Sequence, residues 1–249
     1  MGLRIFLHAV RLVFSQLNGA VRVSGLLYLL TVIVSGVVAF YFPIDSIPGQ
    51  PPQYSWQAVL ASLFSGVIYL WIAIAWHRYV LLDEVADAPV PAFLGDRILA
   101  YFGRLLQLLL ISLLGGAVLG LVAAGVAFVS NNNPVALTLV PLIFVTALLM
   151  ISYRLAPVFP AAAIGESVGI GAAWAATSGA SGALLLLAVI SAVASSVLVD
   201  LPTLLFGTSL PGAIIAFVWI SVTAWVKLLV GISILTAIYG VYVEKRAIA

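Results

Sequence analysis

The chain has no cysteine, which excludes disulfides, thiolate metal sites and cysteine nucleophiles. Its two histidines, His8 and His77, are too few for a histidine-built metal site. Charge is also scarce. Asp, Glu, Lys and Arg make up 7% of the 249 residues, where a soluble domain of that length carries roughly 25% to cover its surface. A chain so poor in charge cannot keep its outside in water. The formal net charge of +2 comes from scattered basic residues and offers nothing to nucleic acid. There is no Gly-rich phosphate loop and no serine in a nucleophile-elbow sequence, so neither a cofactor nor hydrolytic chemistry is expected.

What the chain has in abundance is apolar sequence, 64% of all residues. Six long runs stand out, at approximately 23–42, 56–82, 98–129, 135–152, 182–199 and 212–243. A helix rises about 1.5 Å per residue, so each run is long enough to cross a hydrocarbon core near 30 Å thick. Six such spans leave room for connections but for no separate soluble domain. The expectation is therefore an all-α polytopic membrane protein, with residues 1–249 as a single membrane domain. Three connections are rich in helix breakers or turn formers: residues 43–54 (PIDSIPGQPPQY), 130–134 (SNNNP) and 200–212 (DLPTLLFGTSLPG).

None of those connections contains Lys or Arg. Nine of the ten basic residues (Arg4, Arg11, Arg22, Arg78, Arg97, Arg104, Arg154, Lys245 and Arg246) fall on the other side. The positive-inside rule makes that side cytoplasmic and both termini internal. Tyr41, Phe42, Tyr54 and Trp56 then mark the outer interface, and Tyr79, Tyr101, Tyr153, Tyr239 and Tyr242 the inner one.

Residues 3–17 read as an amphipathic helix. Leu3, Phe6, Leu7, Val10, Phe14 and Leu17 recur at helical spacing, with Arg4, His8, Arg11 and Ser15 opposite. Such a helix either lies in the headgroup plane with its basic face on anionic lipid or packs on the protein's own cytoplasmic loops. Similar part-amphipathic segments precede the third and fifth runs (90–102 and 167–180), which suggests three repeats of surface segment plus hairpin.

Few residues invite a chemical reading. Lys227 lies near the middle of the sixth run, where an ammonium costs around 3 kcal/mol, and no Asp or Glu lies within a predicted span to neutralise it. It either snorkels or meets carbonyls and hydroxyls such as Thr223, or it forms an anion or lipid-headgroup contact. Asp200 reaches it only if the last connection dips inward. His77 and Arg78, with Asp83, Glu84 and Asp87 just beyond, form either a proton relay or a plain charged interface. Gly116 and Gly120 make a G-x-x-x-G for close helix approach, within the monomer or in a homodimer. Ser191, Ser195 and Ser196 read as interhelical contacts.

Residues 152–179 read SYRLAPVFPAAAIGESVGIGAAWAATSG. With Arg154, Leu155, Pro157, Glu166, Ala173, Trp174, Thr177 and Gly179, this stretch resembles a pattern in a broad bacterial family of six-span inner-membrane proteins. That family includes YciC-like proteins and the membrane domain fused to some glycerophosphoryl diester phosphodiesterases. The resemblance implies a bacterial inner membrane and carries over no hydrolytic domain. Physically, Arg154 sits where the fourth span leaves the hydrocarbon, Pro157 and Pro160 break the helix, and Glu166 is expected to open a short interfacial helix. An Arg154–Glu166 ion pair would pin that elbow.

The functional expectation is a non-catalytic membrane component that meets lipid and belongs to a larger membrane protein complex: a lipid organiser, scaffold or accessory subunit. The alternative is a transporter or lipid-handling protein that uses Lys227 and Arg154 as anion contacts.

Overall fold

The computed structural model describes residues 1–42, 54–85, 88–131, 133–206 and 210–247, and among them every regular element is helical. In chain order these are α1 (Gly2–Ser15), α2 (Leu17–Ala20), a π-helical turn (Val21–Gly25), α3 (Leu26–Tyr41), α4 (Trp56–Leu82), α5 (Gly95–Val129), α6 (Pro134–Leu155), α7 (Val158–Ile164), α8 (Ile170–Ala176), a 3₁₀ turn (Ser178–Ala180), α9 (Ser181–Phe206) and α10 (Leu210–Tyr242). Six helical stretches are long and apolar enough to cross a membrane. This is a multi-pass membrane protein.

Local chemistry sets the ends. Ser55 caps α4 by accepting from the Ala58 N–H, and Asp83 closes the helix in the left-handed region at φ 52°. Asn133 caps α6 by accepting from the Val135 N–H, with Pro134 at the first helical position, where its missing N–H has no partner to lose. The helix of the fifth apolar run, α9, does not stop before Asp200. It continues to Phe206, and the expected connection from 200 to 212 shrinks to the few residues before Leu210. Pro202 has no N–H to give the Leu198 carbonyl one turn back. The indole N–H of Trp219 on α10 donates to that carbonyl instead, at 3.5 Å. The carbonyl freed by the proline is thereby given another donor.

Hairpins α3–α4, α5–α6 and α9–α10 pack as neighbours, and α1 lies against α9 and α10. The surface segment expected at 90–102 is absent as a separate element, because α5 runs unbroken from Gly95. The core is confined to the end of the bundle where α4 and α10 finish and where α5 and α9 begin. One cluster there gathers Val13, Ile72, Trp76, Tyr101, Phe159 and Leu229, and a second gathers Ile5, Ala9, Leu184, Leu187 and Ile238. The short α7 is buried along nearly its whole length between α4 and α5. Toward the opposite end the helices present bare apolar surface. None of the most apolar eighteen-residue stretch of α5 is buried, and Phe128 and Val129 are 87% and 85% exposed.

The α1 helix has three faces rather than two. Gly2, Ile5, Ala9 and Val13 are buried against the bundle. The expected apolar stripe of Leu3, Leu7, Phe14 and Leu17 is exposed, and Arg4, Arg11 and Ser15 form a third, polar sector. His8 edges that polar sector, and partial burial, with Arg11 beside it, lowers its pKa below the usual histidine value.

Candidate functional site

At the packed end, each buried polar side chain described below is stitched to a neighbouring helix. Trp76 is fully buried, and its indole N–H donates to the Ser233 hydroxyl at 2.8 Å. The next residue, His77, is equally buried. Its Nδ1 lies 2.8 Å from Thr236 Oγ1, and its Nε2 lies 3.3 Å from the Tyr101 hydroxyl. Thr236 donates its own proton to the Ile232 carbonyl, so it accepts from Nδ1–H, and Nε2 is left to accept from Tyr101. One neutral imidazole thereby ties α4 to both α5 and α10. Nearer the open end, Trp225 donates to the Ser24 hydroxyl and Tyr28 to the Ser221 carbonyl, which fasten α10 to α3 and its preceding turn. These bonds satisfy the groups that burial would otherwise make costly.

Arg154, only 8% exposed, sits at the end of α6 with its guanidinium 3.6 Å above the ring of Trp174. Its Nη2 donates to the Trp174 carbonyl at 3.1 Å, while Nε has no hydrogen-bond partner. The Thr177 hydroxyl reaches the carbonyls of Ala173 and Arg154, closing the elbow from the other side. The expected Arg154–Glu166 pair does not form. Gly165, at φ +91°, ends α7 and turns Glu166 away, and the carboxylate accepts from the Tyr239 hydroxyl on α10. Nor does Glu166 open a helix, since α8 begins only at Ile170. The elbow is therefore pinned by a cation over an aromatic face and a carbonyl, a contact worth about 0.5–2 kcal/mol. Arg154→Met and Trp174→Leu should each lower the melting temperature, and a double-mutant cycle should give a coupling of about 1 kcal/mol. Additive effects would remove the stacking from the account.

The remaining candidates separate. Arg78, expected beside a relay, bridges Glu84 and donates to the Ala163 carbonyl. His77 is turned away from that pair, toward Thr236 and Tyr101. Asp87 lies outside the described residues. Gly116 faces Phe144 on α6, where an added Cβ would sit at 3.7 Å, whereas Gly120 faces open space. The G-x-x-x-G thus contributes one glycine to the α5–α6 contact. Lys227 is half-buried on α10 and makes no hydrogen bond or ion pair with a described residue. The side chains of Asp200 and Ser196 lie outside the described part of the structure.

No family model matches the chain, and no curated protein or solved structure is similar to it. Among the described residues no three His, Asp or Glu side chains converge as a metal cage. Sequence reading missed the stitching serines and threonines. Their only trace was a pair of hydroxyls one turn apart, Ser233 and Thr236, on the helix that would face Trp76 and His77.

Proposed function

We propose that the protein is a non-catalytic, lipid-organising scaffold or accessory subunit in the bacterial inner membrane, with both termini cytoplasmic. The charge asymmetry supports that orientation, and the resemblance of residues 152–179 to the six-span bacterial family supports that membrane. The observation that carries the reading is the contrast between the two ends of the bundle. One end is stitched shut by buried polar pairs, while the other presents long apolar helices with bare flanks, such as α5. An enzyme or carrier needs polar groups gathered around a cavity. A scaffold needs a rigid base and a large surface for lipid tails or partner helices. The three-faced α1 fits the same picture, with one face on the bundle, an apolar face for acyl chains and a basic face for headgroups.

Native mass spectrometry of the protein extracted gently from its own membrane tests this. A stoichiometric membrane partner or a retained set of lipids is expected, and a bare monomer that binds neither would overturn the proposal.

Anion handling is kept as a second reading by one observation, the ammonium of Lys227, which meets no partner among the described residues. Under the scaffold reading, Lys227→Met is neutral or stabilising by up to about 1 kcal/mol, because it removes a poorly solvated charge. A loss of anion-dependent stabilisation in that variant would shift the assignment to anion handling.

A further inference from the structure

Three ion pairs stand among the described residues: Arg78 with Glu84, Arg97 with Asp96 and Arg246 with Glu244. The side chains of Arg22 and Asp83, of opposite sign, make no hydrogen bond or ion pair with a described residue, yet they line adjoining hollows. The hollow beside Arg22 holds about 220 Å³ and the one beside Asp83 about 210 Å³, and both have Tyr79 and Val85 in their walls. A third, of about 360 Å³, opens from Tyr79 toward Gln16 and Asn18.

The wall between the hollows is built rather than incidental. The Tyr79 hydroxyl donates to the Gln16 side chain at 2.8 Å across the break between α1 and α2. It rests directly on Gly19, where a Cβ would overlap the ring. Only glycine lets the tyrosine lie there, with a cation on one side and a carboxylate on the other. Asp83 also caps the last carbonyls of α4, whose partial negative charge favours an ammonium at that spot. Arg22 offers a forked donor suited to phosphate oxygens. The surroundings are apolar, since Leu17, Val21, Leu82 and Val85 all stand exposed beside the trough.

We propose that this trough is a headgroup site for phosphatidylethanolamine, with Arg22 on the phosphate, Asp83 on the primary ammonium and the acyl chains along the flanking apolar side chains. A lipid with phosphate alone leaves Asp83 unmatched and repelled. One with a quaternary ammonium cannot donate hydrogen bonds to the carboxylate. The proposal rests on the lipid-organising reading above and adds the lipid class.

The test is native mass spectrometry of the full chain in micelles doped with phosphatidylethanolamine, phosphatidylcholine or phosphatidylglycerol of identical acyl chains. The expected result is retention of phosphatidylethanolamine over phosphatidylcholine by roughly tenfold, the ratio that one good charge-assisted bond supplies. Asp83→Asn should erase that preference, Arg22→Gln should weaken retention of all three, and Arg22→Lys should restore much of it. Both side chains reach the surface, so melting temperatures should stay near wild type. Because the chain has no cysteine, Asn18→Cys gives a second reading. Its maleimide labelling should slow in phosphatidylethanolamine and not in phosphatidylcholine. Equal retention of the three lipids, or retention of phosphatidylglycerol above phosphatidylethanolamine by the unaltered chain, would overturn the headgroup assignment while leaving lipid binding intact. Retention of no lipid of any class would overturn the headgroup site and the lipid-organising part of that reading.

Discussion

Trp76→Ala is expected to cost about 3–5 kcal/mol, the usual range for truncating a fully buried tryptophan. Trp76 is completely enclosed, stacks on Tyr79 at 5.4 Å and bonds to Ser233. Its loss opens a cavity at the junction of α4 and α10 and removes the anchor for the second of those helices. Domains are stable by only about 5–15 kcal/mol, so this one change consumes a large share of the margin. The measurement is thermal unfolding in detergent, followed by size-exclusion recovery. Trp76→Ala should melt far below wild type, whereas Trp76→Phe, which keeps one six-membered ring and loses the pyrrole edge with its N–H bond, should lose roughly 1–2 kcal/mol. A wild-type melting curve for Trp76→Ala would mean that the packed end does not hold the bundle together.

The second large effect comes from a single methyl group. Gly2 lies so close to α9 that a β-carbon would run into the carbonyl of Ala183 and crowd the backbone nitrogen of Leu187. Backbone atoms cannot swing aside as a side-chain tip can, so Gly2→Ala must lift the start of α1 away from α9 and α10. Ile5 and Ala9, both fully buried, would then meet solvent or lipid. The absence of native cysteine makes the readout clean. In an Ile5→Cys background, Gly2→Ala should raise the maleimide reaction rate roughly tenfold or more, the signature of about 1.4 kcal/mol of easier local opening. Labelling at Arg11→Cys, already on the exposed sector, should not change. Equal rates at position 5 with and without the extra methyl would show that α1 docks by some other face.

The spans were legible in the sequence because hydrophobic run length is a direct consequence of membrane thickness. The helix α4 has the bounds of the second apolar run, 56–82, since a proline-rich stretch precedes it and charged residues follow it. The helix α9 runs on past 199, where Asp200 and Pro202 read as a turn, and only the fold supplies the Trp219 contact there. The first helix has an inward face that the apolar pattern does not show, because its packing residues include Gly2 and Ala9, whose hydrophobicity is slight and whose value lies in being small. The bulky stripe of Leu3, Leu7 and Phe14 dominates the pattern and stays exposed on a separate face. The elbow after the fourth span shows the limit of pairing charges by type. Arg154 found an aromatic face and Glu166 a phenol, because a left-handed glycine set their directions.

The distribution of the two clusters also dictates an order of assembly. The first helix gives Val13 to one cluster and Ile5 and Ala9 to the other. The last helix gives Leu229 and Ile232 to the first and Ile234, Ala237 and Ile238 to the second. Neither cluster can close before α10 has been made. At ribosomal rates of about 5–20 residues per second, α1 must wait on the order of ten seconds or longer for its partner. During that interval its buried stripe can meet α4 and then α9, but not the α10 side chains that complete both clusters. Insertion of the hairpins and locking of the fold are thus separate events, and the second waits on the last helix.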